Sequence, residues 1–214
     1  MKIEKHPAYK YAIDVVNGDI PSNKYIIKTC QHFLDDLKKQ KDDDFKYILD
    51  MNNVMLITEV TKLINMASGL KVGATAHDSL VGFQWFFLIN ALCWKEKSDL
   101  EKRRYEKNIL LIGRKSGKTF LVALTFILLM LTEPKFSEFY SVAPNLELSG
   151  IVKKEMMQLL DASPAINKRF KVFADRIECE LKKSKFKNLA TSKNRMDGRK
   201  ANVYCADKQL CPLT

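Results

Sequence analysis

The residues of this chain best suited to chemistry lie in segment 108–119, which reads Asn-Ile-Leu-Leu-Ile-Gly-Arg-Lys-Ser-Gly-Lys-Thr. Its pattern predicts a buried strand over 109–112, a tight loop ending in Gly-Lys-Thr, and an apolar helix over 118–131. Backbone N–H groups and the positive end of the helix would then point into one cavity. A lysine there adds a full charge, and a threonine hydroxyl can ligate Mg²⁺. The segment therefore predicts a binding site for a nucleoside triphosphate.

The glycine spacing of this loop departs from the usual phosphate-binding pattern. That pattern has four residues between its two glycines, which would place the first at Ile112, whereas the chain has Gly113 one residue later. A Gly-Lys-Thr triplet alone often arises by chance, and a lysine-rich surface turn is the alternative interpretation. The predicted strand before the loop and the helix after it favour a phosphate site.

Asp207 is a second candidate for the same site because it directly follows the apolar segment 201–206. If that segment is a strand of the same sheet, the Asp207 carboxylate can share Mg²⁺ with the Thr119 hydroxyl. The alternative is an aspartate that simply ends a strand. The phosphate loop favours the metal role.

The elements that must position these residues change in character along the chain. In the first part, helical spacing of apolar residues predicts helices over 25–37 with Ser22 as the cap, over 51–66 and over 79–94. From residue 109 onward, strands are predicted at 109–112, 139–143, 177–181 (exposed or at an edge) and 201–206, with helices at 118–131 and 146–160. This alternation predicts an α/β fold with a mostly parallel sheet flanked by helices, preceded by a helical N-terminal section.

Composition suggests a basic protein with a polyanionic partner. The 214 residues include 36 Lys+Arg against 25 Asp+Glu, which gives a formal net charge of +11. This charge suits a nucleic-acid partner, and the alternative is a solvated lysine-rich surface. The basic runs 102–104 and 182–183 are candidate DNA contacts.

Five scattered cysteines show no zinc spacing and predict free thiols. The N-terminus has no signal-peptide core, and the apolar run after Thr119 is shorter than the roughly 20 residues that span a bilayer, so no membrane association is expected.

Several of these segments, in this order, resemble the N-terminal ATPase domain of bacteriophage terminase large subunits, the motors that package DNA. The resembling segments are 82–86 (Gly-Phe-Gln-Trp-Phe), 114–119 (Arg-Lys-Ser-Gly-Lys-Thr), 140–144 (Tyr-Ser-Val-Ala-Pro), 196–198 (Met-Asp-Gly) and 203–207 (Val-Tyr-Cys-Ala-Asp). The terminase loop carries Arg-Lys where other phosphate loops carry glycine, which accounts for the unusual spacing. The resemblance implies a RecA-like P-loop NTPase fold, with residues 1–77 as a helical section and 78–214 as the ATPase core.

The resemblance implies a role for each residue of the loop. Backbone N–H groups around Ser116 and Gly117 would cradle the β-phosphate of ATP, and Lys118 would contact the β- and γ-oxygens. Arg114 would be a cis arginine that stabilises charge developing on the γ-phosphate, and Lys115 belongs to the same binding loop.

Outside the loop, Thr119 and Asp207 would hold Mg²⁺, the second cofactor that the resemblance implies. Gln84 would contact the adenine edge of ATP, and a capping or surface glutamine is an equal alternative. ATP hydrolysis would then drive double-stranded DNA into a capsid in the bacterial cytoplasm. The implied partners are the terminase small subunit, the capsid portal and further copies of the chain in a ring.

One position departs from the family. In the family, a catalytic glutamate follows the metal-binding aspartate of the Walker B strand, which corresponds to Asp207 here. This chain has Lys208 in place of that glutamate. Loss of a positioned base typically slows catalysis about 10²–10⁴-fold. The resemblance ends at Asp207, and we expect a truncated core without the family's nuclease domain. A frameshift would produce such a core, and a deliberately shortened regulatory protein is the alternative. Whether this is an active enzyme is left open by the sequence. One alternative function is a basic DNA-binding or interaction module, a remnant of a prophage protein, that uses no nucleotide. Another is a different P-loop enzyme, such as a helicase or a nucleotide kinase, although the further motifs of these enzymes are not visible.

Overall fold

The computed structural model describes residues 2–69, 71–190 and 201–206, which form a mixed α/β structure. These residues divide into two compact units. The first contains the chain up to Glu59 together with Ser79–Leu111. The second contains Val60–Asp78 and the described residues from Ile112 onward, and therefore includes the phosphate loop. The sequence-based division at residue 77 stays a prediction.

The first unit is mainly helical. Its elements are a 3-10 helix (Ile3–Lys5), α1 (Pro7–Asn17), α2 (Lys24–Lys39), α3 (Met51–Lys62, up to Glu59 in this unit), α5 (Gly82–Cys93), and the strands β1 (Tyr47–Leu49), β2 (Trp94–Glu96) and β3 (Asp99–Arg103). The three short strands form an antiparallel sheet in the order β1-β2-β3. The three predicted helices are present, the one predicted over 79–94 being shorter at Gly82–Cys93. Helix α1 and the sheet are additions that the sequence analysis did not predict.

Two helix ends differ from the predictions. The cap of α2 is Asn23 and not Ser22, because the Asn23 Oδ1 accepts hydrogen bonds from the backbone N–H groups of Tyr25 and Ile26, both at 3.0 Å. Asparagine and serine are both good cap residues, so their order alone could not decide between them. Helix α3 ends at Lys62, four residues before the predicted Met66.

A buried arginine organises one side of the first unit. The Arg104 guanidinium lies 2.8 Å from a carboxylate oxygen of Asp36, and both side chains are largely buried. Four aromatic rings surround the guanidinium with centroids at 4.6–5.4 Å: Phe45, Tyr47, Trp94 and Tyr105. Cation–π attraction and the ion pair together hold the charge in this largely apolar position. Arg104 is therefore not available as the DNA contact that its basic run suggested.

The second unit contains a five-stranded sheet. Its elements are α4 (Ala76–Ser79, up to Asp78 in this unit), α6 (Lys118–Thr132), α7 (Leu146–Asp161), α8 (Pro164–Asn167), β4 (Glu138–Ala143), β5 (Phe170–Val172), β6 (Arg176–Cys179), β7 (Ser184–Ala190) and β8 (Val203–Ala206). The strand order is β5-β6-β7-β4-β8. Strand β4 pairs in parallel with β7 and with β8, whereas β6 pairs antiparallel with β5 and with β7.

The sheet is therefore mixed, and the prediction of a mostly parallel sheet is too simple. Helices α6 and α7 and strands β4 and β8 agree with the predicted segments to within two residues. Strand β6 is an interior strand rather than an edge strand. Its alternating pattern arises because one face of the strand is buried and the other is only partly covered.

Helix α6 forms the core of this unit. Its apolar residues cover most of the helix circumference, and eight of its 15 residues are buried. The Phe126 ring packs against the rings of Phe139 and Phe186, which are directly opposite each other on β4 and β7. Although α6 is apolar, no helix among the described residues has the length and apolarity needed to cross a membrane.

The strand predicted over 109–112 is not formed. No described strand pairs with this segment, and two of its four apolar side chains are exposed, Ile109 at 84% and Leu111 at 90% of their surface. A strand exists only through backbone hydrogen bonds to a neighbour, and an apolar pattern does not supply that neighbour. The phosphate loop is thus preceded by irregular chain.

Replacing Asp36 with alanine should destabilise the first unit by about 3 kcal/mol, because it leaves the buried Arg104 charge without its carboxylate. Urea unfolding followed by tryptophan fluorescence measures this unit, since Trp85 and Trp94 both lie in it. Lys102→Ala, which removes an exposed ion pair with Glu96, is the matched control and should leave the midpoint unchanged. Equal effects of the two substitutions would contradict the proposed importance of the arginine cluster.

Candidate phosphate-binding site

The loop before α6 has a defined backbone conformation. Helix α6 begins at Lys118, and its N-cap residue is Gly117 with φ of +73°, in the left-handed region. Lys115 is also left-handed, with φ of +64°, which is uncommon for a residue with a side chain. These two residues turn the chain sharply between Gly113 and the start of the helix.

The start of α6 offers backbone donors to an anion. The carbonyl of Gly117 accepts the first helical hydrogen bond, from the Leu121 N–H at 2.9 Å. The preceding N–H groups of the first turn have no partner within the helix, and a glycine cap has no side chain with which to accept them. Together with the helix dipole, these donors favour a phosphate or another anion at this point.

A cavity of about 460 Å³ lies beside the loop in the second unit. Its lining residues are Ile112, Gly113, Arg114, Lys115, Gly117, Lys118, Thr119, Phe120 and Glu155. Three of these side chains carry positive charge, and six of the seven residues 113–119 line the cavity. The loop therefore surrounds one concave space, as a site for phosphate groups requires.

Glu155 is the residue of this cavity that the sequence did not indicate. It lies on α7, and burial raises the pKa of its carboxyl group above the ordinary value. It is the only acidic side chain among the described residues that line the cavity. Helical periodicity predicts α7 itself, but it does not tell which helix lies beside the loop, so no signal in the sequence pointed to this residue.

The structure brings together six of the predicted site residues. Arg114, Lys115, Gly117, Lys118 and Thr119 line the cavity directly, and Ser116 lies in the same loop, with its Oγ at 3.6 Å from the position that a Cβ on Gly113 would take. The loop contains the chemical groups that would hold ATP and Mg²⁺: cationic side chains, backbone donors at a helix start and a threonine hydroxyl.

The remaining predicted residues lie elsewhere. Gln84 belongs to the first unit, where it is buried, and its Oε1 accepts a hydrogen bond from the Val81 backbone N–H at 3.1 Å, closing the start of α5. Contact of Gln84 with adenine stays a prediction. Asp207 and Lys208 follow β8 and lie outside the described residues, as does the predicted 196–198 turn.

Comparison with solved structures shows a fold similar to that of the HK97 bacteriophage large terminase in its crystal structure. The TM-score is 0.57 at 17% sequence identity, and the match covers 72% of this chain. This chain spans only 30% of that terminase. No family model matches the sequence, and no curated protein matches it either. The chain thus has a fold of the large-terminase kind, as its motifs predicted.

Gly117→Ala should destabilise the start of α6 by about 1–2 kcal/mol, since a side chain opposes the left-handed backbone at this position. Gly113→Ala is the matched control: its φ is not in the left-handed region, and the added Cβ would meet only Ser116 Oγ at 3.6 Å. Urea unfolding followed by far-ultraviolet circular dichroism compares the two. A larger loss of stability in Gly113→Ala would contradict the loop conformation described above.

Proposed function

We propose that the second unit binds ATP with Mg²⁺ through the loop before α6. The observation that carries this proposal is the cavity that the loop surrounds, into which Arg114, Lys115 and Lys118 bring three positive charges beside the uncapped start of a helix. Triphosphate is the ligand whose charge and length suit a lysine, an arginine and a row of backbone donors at once.

The individual roles follow from chemistry and position. Lys118 lies in the first turn of α6 and would neutralise the β- and γ-oxygens. Arg114, which also lines the cavity, would suit the γ-phosphate, where charge develops during hydrolysis. The Thr119 hydroxyl is a Mg²⁺ ligand in this proposal, and Asp207 would complete the metal site. Mg²⁺ would also offset the negative charge that Glu155 contributes to the cavity.

We further propose that this nucleotide site belongs to a motor of the DNA-packaging kind. Two observations support the proposal: a fold similar to a bacteriophage large terminase and a formal net charge of +11, which suits double-stranded DNA. Such a motor would act in a bacterial cytoplasm as a ring of identical chains. Its further partners would be a small subunit and a capsid portal.

Hydrolysis by this chain should be slow. Position 208 carries a lysine, which cannot accept a proton from water while it is charged, where the terminase pattern has a glutamate. Glu155 is the described carboxylate beside the loop and the one candidate there for a substitute base. We infer that the chain binds ATP well and turns it over poorly.

Lys118→Ala should weaken the binding of ATP with Mg²⁺ about tenfold or more, because it removes a charge-assisted hydrogen bond to phosphate worth roughly 1.5–3 kcal/mol. Isothermal titration calorimetry measures the affinity. The control is Lys154→Ala, which removes an exposed lysine next to Glu155 on α7 and should leave the affinity unchanged. An affinity unchanged by Lys118→Ala would exclude the phosphate-loop proposal and favour a nucleotide-independent basic module.

Lys208→Glu should raise the ATP hydrolysis rate about 10²-fold or more by restoring a base beside the attacking water, with little change in ATP affinity. Glu155→Gln in the natural chain is the comparison and should leave the slow basal rate nearly unchanged. Steady-state phosphate release measures both variants. The account of impaired turnover is wrong if Glu155→Gln abolishes hydrolysis and Lys208→Glu adds nothing, since Glu155 would then already serve as the base.

A further inference from the structure

Two turns lie side by side in the second unit, near the C-terminal end of α6. The phosphate loop lies at the opposite end of this helix. The first turn, 133–137, connects α6 to β4, and the second, 180–183, connects β6 to β7. We call them together the turn pair. Because α6 has 15 residues, its two ends lie about 22 Å apart, so the turn pair is well separated from the loop.

Backbone hydrogen bonds hold the turn pair in a fixed arrangement. The Phe136 N–H donates to the Lys182 carbonyl at 2.9 Å, and the Lys185 N–H donates to the Ser137 carbonyl at 3.0 Å. The Ser137 hydroxyl also donates to the Pro134 carbonyl at 2.8 Å within the first turn. The two connections therefore form one surface whose shape does not depend on any ligand.

This arrangement displays an aromatic side chain to solvent at a conformational cost. Phe136 has φ of +68°, and Lys183 has φ of +52°, both in a region that residues with side chains rarely adopt. The Phe136 side chain is nevertheless 68% exposed, and neighbouring Leu181 is 53% exposed. Because the Phe136 ring is not buried in the core, burial does not offset the cost of this backbone conformation. A contact that the exposed ring makes with a partner better explains why phenylalanine occupies the position.

The charge around this ring is positive. The turn pair contains Lys135, Lys182 and Lys183 against two acids, Glu133 and Glu180, and Glu180 is paired with Lys171. The Lys183 Nζ lies 5.7 Å from the centre of the Phe136 ring. Within the part of the chain that the structure describes, none of the three lysines forms an ion pair with a carboxylate.

Phe173, an aromatic residue between β5 and β6, also lies near a cation but differs from Phe136 in its surrounding charge. The Arg176 guanidinium lies 4.1 Å from the Phe173 ring, closer than Lys183 lies to Phe136. Arg176 is, however, paired with Asp175 at 2.9 Å and with Glu178 at 2.7 Å, so its charge is neutralised locally. Of these two sites, the turn pair is the one that combines a solvent-exposed ring with lysines that form no ion pair with a described carboxylate.

We propose that the turn pair binds a nucleic-acid strand with unpaired bases. Lys135 and Lys183 contact successive phosphates, and Phe136 stacks on a base between them, which is the usual combination of charge and aromatic surface in proteins that bind single strands. A duplex offers the same phosphates but no free base face. An anionic membrane is a poorer fit, because a single ring and Leu181 provide little apolar surface for insertion.

Fluorescence anisotropy tests this proposal. The affinity for a labelled oligodeoxythymidine is compared with that for a duplex of equal length, each over a range of salt concentrations. The natural chain should prefer the single strand. Phe136→Ala should weaken single-strand binding about tenfold, with a smaller effect on duplex, because each stacked base contributes roughly 1–3 kcal/mol. Lys183→Ala should reduce the salt dependence by about 0.7 per lost phosphate contact.

Phe173→Ala is the matched control and should leave both affinities unchanged. Lys118→Ala should weaken ATP binding about tenfold or more without affecting oligonucleotide binding, so the nucleotide proposal and this one can fail separately. Equal losses in Phe136→Ala and Phe173→Ala would overturn the proposal. Binding of phosphatidylserine vesicles through Phe136 without oligonucleotide binding would overturn it as well.

Discussion

The packing of α6 against the mixed sheet is the interaction on which the rest of the second unit depends. The helix is apolar on nearly all sides, so it has to be buried, and the contacts of Phe126 with Phe139 and Phe186 fix it across β4 and β7. Once the helix is fixed, its two ends are fixed too. The phosphate loop precedes one end, and the turn pair follows the other.

This constraint explains why the chemistry lies where it does. A buried apolar helix cannot carry charged side chains along its length, so cations collect at its ends, where solvent or a ligand can reach them. At the first end, the cap residue Gly117 has no side chain to accept hydrogen bonds from the first turn, so an anion can accept them instead. The same helix that supplies the core thereby supplies an anion site.

Sequence reasoning succeeded where one element carries its own signal. Helix α6 was predictable because an apolar run of helical length ends just before Pro134, and α7 was predictable from its apolar spacing. Reasoning failed where structure depends on a partner. The apolar 109–112 segment has the composition of a strand, yet it forms none because no described strand pairs with it.

The same distinction applies to the candidate site. Six loop residues were predictable because they are adjacent in the chain and their chemistry is local. Glu155 was not, because its place in the cavity comes from the packing of α7 beside the loop. Likewise, the ion pair that buries Arg104 joins residues 68 positions apart, so its basic run looked like a surface feature.

Hydrogen–deuterium exchange of the natural chain with and without ATP and Mg²⁺ is the most direct test of the central claim, that the start of α6 binds the triphosphate. The account predicts slower exchange for backbone amides of residues 113–120, with no change at 135–137 or 181–183, since the donors at the helix start would be engaged by phosphate. Unchanged exchange across 113–120 at saturating ATP, or protection confined to other segments, would contradict it.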